Sequence, residues 1–225
     1  MKAVILAGGK GTRLKTVVPH LPKPMASVGG RPFLEYIFEK LILDKVDTVV
    51  LSVGYKREVI KSKYNSGFKN LKVSFSEETT PLLTGGAIKK ATEAISDDIV
   101  IVLNGDSYTE FDLKKFYSNH LQKKADVSIL AVKMTDASRY GLLQLGSDYR
   151  VANFCEKQPN SSGYINAGIY LFNPEQLRKC KETVFSFEEW LKSNIHSLKI
   201  YAYPNSEKFI DIGVPEDYEL AQSFF

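Results

Sequence analysis

Ala3-Val4-Ile5-Leu6 runs directly into Ala7-Gly8-Gly9-Lys10-Gly11-Thr12-Arg13-Leu14, and this junction decides the fold. The short apolar run reads as a buried strand. Three glycines follow at once, so the backbone can approach a ligand closely and present several N–H groups to an anion. A Walker A loop requires GxxxxGK[ST], which Lys10 is not placed to satisfy. A dinucleotide fingerprint requires GxGxxG, and here the last position is Leu14. The segment therefore reads as a phosphate loop of another kind, with Arg13 supplying a rigid fork for phosphate oxygens.

Working outward, the same strand-then-helix alternation continues. Thr48–Val53, Leu71–Phe75 and Ile99–Leu103 read as further strands, the last so β-branched that it should be central. Helical patterns lie between them: one opens at Pro32 with Phe33, Leu34, Ile37, Phe38, Leu41 and Ile42 on one face. A second runs from Gly86 through Ile88, Ala91 and Ile95. A third follows Asp112 as its cap, with Leu113, Phe116, Tyr117 and His120 at helical spacing. Such repetition predicts an α/β fold with a mostly parallel, Rossmann-like central sheet flanked by helices. After about Ala137 the pattern becomes strand-rich: Leu142–Leu145 and Val151–Phe154 around a Gly146-Ser147-Asp148 turn, then 165–172, 198–203 and 209–212, with a last helix after Pro215. The expectation is one domain over 1–225, its part up to about 136 binding nucleotide and its part from about 137 binding sugar.

Composition narrows the class. Among 225 residues, 44% are hydrophobic and 25% charged, as in ordinary globular proteins, which excludes disordered, collagenous and membrane-spanning classes. Lys plus Arg is 30 against 26 Asp plus Glu; a net +4 without a basic stripe argues against a nucleic-acid partner. Cys155 and Cys180 have neither zinc-site nor disulfide-framework spacing. The apolar opening stops at Gly8-Gly9 without a signal-peptide cleavage pattern, so a cytoplasmic protein with no membrane partner is expected.

Three other segments carry chemistry. In Pro22-Lys23-Pro24-Met25 two prolines restrain a lysine, although from Lys23 alone an exposed loop lysine is the simpler reading. Asn104-Gly105-Asp106 follows the central strand at its carboxyl end, where open α/β sheets bind ligands, and an aspartate there suits Mg²⁺. Asp211, within Phe209-Ile210-Asp211-Ile212-Gly213, is a second carboxylate among apolar strand residues, and the two together suggest a shared metal. His20, His120 and His196 are scattered, and no GxSxG elbow occurs. Transfer between phosphates needs neither, because a phosphate monoester is mostly dianionic at pH 7.

At these residues the chain resembles the sugar-phosphate nucleotidyltransferases over almost its whole length. LAGGKGTRL and LPKPM are similar to the family's nucleotide signature, LTGGAI to its second nucleotide loop and NGDSY to its metal segment. Glu156-Lys157 resembles its sugar-binding pair, Asn166–Tyr170 its sugar-contact strand and FIDIGVPEDY its second metal segment. The resemblance implies nucleotide contacts from Leu6, Ala7, Gly8, Gly9, Gly11, Thr12, Arg13, Thr84, Gly85, Asn104 and Gly105. It implies catalytic roles for Arg13, Lys23 and Asp106, and Mg²⁺ held by Asp106 and Asp211. Lys23, Tyr140, Gly141, Glu156, Lys157 and Asn166 would bind the sugar phosphate; as a sequence feature alone, Glu156-Lys157 reads as a solvated charge pair. Leu83, Val214 and Leu142 depart from the family pattern near the base and the sugar.

The short chain, Asp136–Gly141 and KPMASVGGRPFLEY most resemble members that join GTP to D-glycero-α-D-manno-heptose 1-phosphate for bacterial surface glycans. Glu78 is a candidate reader of guanine, since one carboxylate can accept both N1–H and N2–H; exposed acids on a strand end are the bland alternative. The rivals are mannose 1-phosphate with GTP, glucose or N-acetylmuramate 1-phosphate with UTP or TTP, and a non-catalytic nucleotide-sugar sensor. A glycosyltransferase commonly shows DxD, whereas Ser107-Tyr108 follow Asp106 here. No hexapeptide-repeat tail follows Phe225, so an acetyltransferase fusion is not expected. The partners are small molecules, an NTP and a sugar 1-phosphate, with room left for a homo-oligomer.

Overall fold

The computed structural model describes every residue except Lys15. Its elements begin with β1 (Ala3–Leu6), β2 (Ser27–Val28), β3 (Arg31–Pro32), α1 (Phe33–Leu43), β4 (Thr48–Val53) and α2 (Arg57–Tyr64). There follow β5 (Lys72–Glu77), α3 (Leu83–Thr92), β6 (Val100–Asn104), β7 (Ser107–Thr109), α4 (Leu113–Gln122) and β8 (Val127–Met134). The remainder comprises β9 (Leu142–Leu145), β10 (Val151–Cys155), β11 (Gly163–Phe172), α5 (Glu175–Arg178), α6 (Phe187–Ser193), β12 (Ile200–Asn205), β13 (Phe209–Asp211) and α7 (Pro215–Ala221).

One mixed sheet organises the chain. Its parallel part runs β5-β4-β1-β6, with Leu6 level with Ser52 on one side and Asn104 on the other. β11 then joins β6 antiparallel, and β8 and β9 pair with β11 in the same sense. Two-residue periodicity sends alternate side chains of the central strands to opposite faces. Ala3, Ile5, Ile101 and Leu103 enter one core with Phe33, Leu34, Ile37, Phe38 and Leu41 of α1. Val4, Val100 and Val102 enter the other with Ile88 and Ala91 of α3. Each fully buried Phe or Leu contributes about 1.5–3 kcal/mol, so both faces are strongly specified. Among the described residues, no helix is long and apolar enough to cross a membrane.

The expected cap is present, with Asp112 accepting from the Lys115 amide at 3.0 Å. α3 begins at Leu83 rather than Gly86. β8 and α2 were not legible in the sequence. β8 buries six consecutive residues and so shows no alternation, while α2 buries only Ile60 and Tyr64. Cys155 and Cys180 are free thiols.

His120 of α4 is buried and shares a 2.8 Å hydrogen bond with buried Ser128. Burial holds its pKa below the ordinary imidazole value, with Asp126 opposing. The folded state thus binds fewer protons here than the unfolded state as pH falls through the ordinary histidine range. This group's stabilisation is present above that range and lost below it. Urea midpoints at pH 7.5 and 5.5 should differ more in the wild type than in His120→Gln; an equal or larger drop in the variant contradicts this.

Candidate active site

The carboxyl ends of the parallel strands converge on one edge, where β1, β4, β5 and β6 deliver Ala7–Gly9, Gly54-Tyr55, Glu78 and Asn104–Asp106. Backbone hydrogen bonds continue past the strand ends and fix these loops. Ala7 N–H donates to Ser52 O at 2.8 Å, Tyr55 N–H to Gly8 O at 3.1 Å and Gly105 N–H to Leu6 O at 2.9 Å. A Cβ on Gly105 would lie 2.5 Å from Leu6 O, so only glycine lets the loop after β6 lie this close to β1. Gly11 has φ +56°, and a Cβ there would approach the Lys23 side chain to 3.2 Å. The glycine loop and the Pro22–Met25 turn are therefore pressed together.

That contact aims Lys23 at two carboxylates. Its Nζ lies 2.6 Å from Asp106 Oδ2 and 3.6 Å from Asp211 Oδ1. Asp211 arrives from the far end of the chain because β13 pairs antiparallel with β7, setting it level with Ser107, and Ile212 N–H donates to Asp106 O. Asp211 Oδ1 is buried and accepts no hydrogen bond. Burial first, and then the Asp106 charge, push the Asp211 carboxyl above the usual range, with Lys23 opposing. Paired carboxylates with an orphaned oxygen beside a phosphate loop suit Mg²⁺, which takes one or two carboxylates plus phosphate oxygens. Among the described residues no group of three or more His, Cys, Asp or Glu side chains forms a metal cluster. A bound ion would thus complete its shell with substrate oxygens and water.

Three adjoining cavities meet at Leu6 and Thr84. The middle one, about 310 Å³, is lined by Ala7, Gly9, Gly11, Thr12, Arg13, Lys23, Asn104 and Asp106. A second, about 760 Å³, is lined by Gly8, Gly9, Tyr55, Arg57, Glu78 and Leu83. The third, about 310 Å³, is lined by Arg13, Asn104, Tyr140, Gly141, Lys157, Asn166 and Asp211. In the second cavity Glu78 is already held: Oε1 accepts from Ser52 Oγ at 3.1 Å and Oε2 from the Leu82 amide at 3.0 Å. Asn166 donates to Tyr170 Oη at 2.7 Å and accepts from the Gly168 amide at 3.0 Å. Burial, with Asp211 and Asp217 nearby, pushes the Tyr140 hydroxyl up to about 12, so it remains a donor at neutral pH.

Three expected residues stand apart from the cavities. Gly85 is buried beneath Phe185, its N–H donating to Phe185 O at 2.8 Å, and Gly105 serves the β1–β6 contact. Glu156 does not line the third cavity; its exposed carboxylate pairs with Lys192 at 2.9 Å. The cavity instead receives Glu188, which has no ion pair among the described residues. Surrounding protein raises its carboxyl above the usual range, although it remains accessible to water. Arg139, which donates to buried Asp217 at 2.7 Å, and Ser186 also line this cavity. Arg139 and Asp217 lie within the Asp136–Gly141 and FIDIGVPEDY motifs, which by themselves assign them no role. Glu188 carries no local signal; Phe187 brings it there, since its N–H donates to Thr84 Oγ1 at 2.9 Å and its ring is buried in the core.

A family model described as nucleotidyl transferase matches residues 2–225. The D-glycero-alpha-D-manno-heptose 1-phosphate guanylyltransferase of Aneurinibacillus thermoaerophilus is 40% identical over 225 residues, covering 99% of this chain and 97% of that protein. Its counterpart in Campylobacter jejuni is 41% identical over 219 residues, 97% of each chain. The crystal structure of HddC from Yersinia pseudotuberculosis, also solved in complex with GMP-PN, superposes with a TM-score of 0.88 at 38% identity, covering 99% of this chain and 98% of that one.

The Asp211 geometry makes two effects separable. Asp211→Asn removes a half-buried carboxylate charge that repels Asp106, so the metal-free variant should melt higher than the wild type. The same change should abolish calorimetrically detectable Mg²⁺ binding. A lower melting temperature in metal-free buffer, or undiminished Mg²⁺ binding, contradicts the arrangement.

Proposed function

This chain belongs to the nucleotidyl transferase family, and from that membership we propose that it joins GTP to D-glycero-α-D-manno-heptose 1-phosphate. The products are GDP-heptose and pyrophosphate. The observation that carries this reading is the row of three cavities sharing Leu6 and Thr84, which would accommodate a base, a triphosphate and a sugar phosphate side by side. The near-full-length identity to heptose 1-phosphate guanylyltransferases supports the choice of both substrates.

The chemistry follows from charge and alignment. An oxygen of the sugar phosphate, already ionised because the second pKa of a phosphate monoester is about 6, attacks the α-phosphorus of GTP. A P–O bond forms there while the bond from α-phosphorus to the bridging oxygen breaks, and pyrophosphate leaves with the electron pair. No general base is needed, and among the described residues no His or Cys lines the three cavities. What the protein supplies is positioning and neutralisation. Arg13 lines both the triphosphate and the sugar cavities and would hold β- and γ-phosphate oxygens. Lys23 would neutralise the α-phosphate and the incoming phosphate, moving off its carboxylates. Asp106 and Asp211 would hold Mg²⁺, which supplies further neutralisation of phosphate charge. Lys157, Tyr140, Gly141, Asn166 and Glu188 would orient the heptose and its phosphate. The reaction belongs in the cytoplasm, where it would supply an activated heptose for surface-glycan assembly.

Glu78 would read guanine. Ser52 and the Leu82 amide each use one acceptor position on its two oxygens, leaving others for N1–H and N2–H. Glu78→Gln presents one donor and one acceptor where guanine needs two acceptors. It should cut kcat/KM with GTP by about 10²-fold while changing UTP turnover little; retained GTP preference would exclude this role.

Pyrophosphate release from GTP, UTP, TTP, CTP and ATP against heptose, mannose and glucose 1-phosphates tests the whole reading. Chelator-sensitive release with GTP and the heptose phosphate is the expected result. Turnover of another pair would move the substrate assignment, and no turnover by folded, nucleotide-binding protein would favour a sensor.

A further inference from the structure

Leu83 opens α3 with φ +59°, in the left-handed region that a branched L-residue disfavours. Neighbouring backbone clamps hold it there. The Leu82 amide donates to Glu78, Leu82 O accepts from Phe185 at 3.2 Å, and the Gly85 amide donates to Phe185 O at 2.8 Å. Strained backbone persists where its surroundings over-determine it, and it clusters at ligand sites. The side chain gains nothing from the core to offset that strain, for it is 56% exposed. It lines the largest of the three cavities, together with Gly9, Tyr55, Glu78 and Ala87.

Resting on the reaction proposed above, we infer that Leu83 is the apolar wall against which the face of the purine packs, and that it sets affinity for purine over pyrimidine nucleotides. Glu78 reaches only the edge of a base. A flat heteroaromatic ring also needs its faces covered, and an exposed leucine held rigidly in the cleft covers one without ordering a loop on binding. A two-ring base covers more of that leucine than a one-ring base, so the contact discriminates by size as well as by hydrophobicity.

Calorimetric titration of GTP, CTP and inorganic tripolyphosphate, with Mg²⁺, into wild type, Leu83→Gly, Leu83→Asn and Leu83→Met tests this. Gly and Asn both tolerate positive φ but lack the apolar wall. Both should weaken GTP about three- to tenfold, the loss expected for uncovering part of a leucine. They should also bring GTP and CTP affinities closer together and leave tripolyphosphate unchanged. Tm in the Gly variant should hold or rise by up to about 2–4 °C, as left-handed strain is released. Leu83→Met should bind GTP within about twofold of wild type. Unchanged GTP affinity in the Gly and Asn variants overturns the inference, as does an equal loss for tripolyphosphate, which would mean that Leu83 acts through loop shape. Because the readout is binding, a wild type that binds GTP yet releases no pyrophosphate overturns the reaction and not this contact.

Discussion

One ammonium shared by two carboxylates is the constraint on which the rest of the site depends. Asp106 and Asp211 repel each other, and Lys23, at 2.6 and 3.6 Å, is the cation between them. Holding three charges this close requires the backbone to be brought together first. β13 must lie against β7, the loop after β6 must lie against Leu6 O, and the glycine loop must lie against the Lys23 stem. Each of these approaches uses hydrogen bonds or a missing Cβ, and together they leave Asp211 Oδ1 buried without a hydrogen bond, its nearest cation Lys23 at 3.6 Å. Lys23 thus answers both carboxylates, Asp106 more closely than Asp211.

The second organising contact joins the two halves of the molecule. Thr84 and Gly85 of α3 dock on Phe185–Phe187, through Thr84 Oγ1 to the Phe187 amide and Phe185 O to the Gly85 amide. Because Thr84 lines all three cavities and Ser186 lines two, this one contact shapes both the cavity beside Glu78 and the cavity beside Lys157. The second and third cavities are thereby tied to each other by two hydrogen bonds between the start of α3 and the Phe185–Phe187 segment. In-line transfer, which tolerates little misplacement of the reacting atoms, benefits from that tie.

Much of this was legible from local pattern. β1 and β6 show as apolar runs because they are buried on both faces, and α1 shows as an apolar stripe because only one side meets the sheet. Arg13, Lys23, Asp106 and Asp211 stand in short motifs that the family resemblance singles out, and all four line the adjoining cavities at the sheet edge. Glu156 shows the limit of motif reasoning. Its neighbour Lys157 lines the sugar cavity, yet Glu156 turns outward to Lys192 of α6, and Glu188 of that same helix enters the cavity. Which of two carboxylates faces a ligand depends on side-chain direction, and that is set by packing against an element remote in sequence.

The sequence by itself determined the α/β sheet, the phosphate loop at its edge and the charged groups that would serve phosphoryl transfer. Hydrophobic periodicity, glycine placement and charge type are local properties, readable one segment at a time. Only the tertiary structure decided that Lys23 sits between Asp106 and Asp211, that Gly85 is a packing residue, that Glu188 enters the cavity beside Lys157, and that Leu83 is held exposed in the cavity beside Glu78. Those outcomes depend on antiparallel pairing between β7 and β13 and on α3 docking against Phe185–Phe187. Both contacts join distant segments, and no local pattern of residues encodes their geometry.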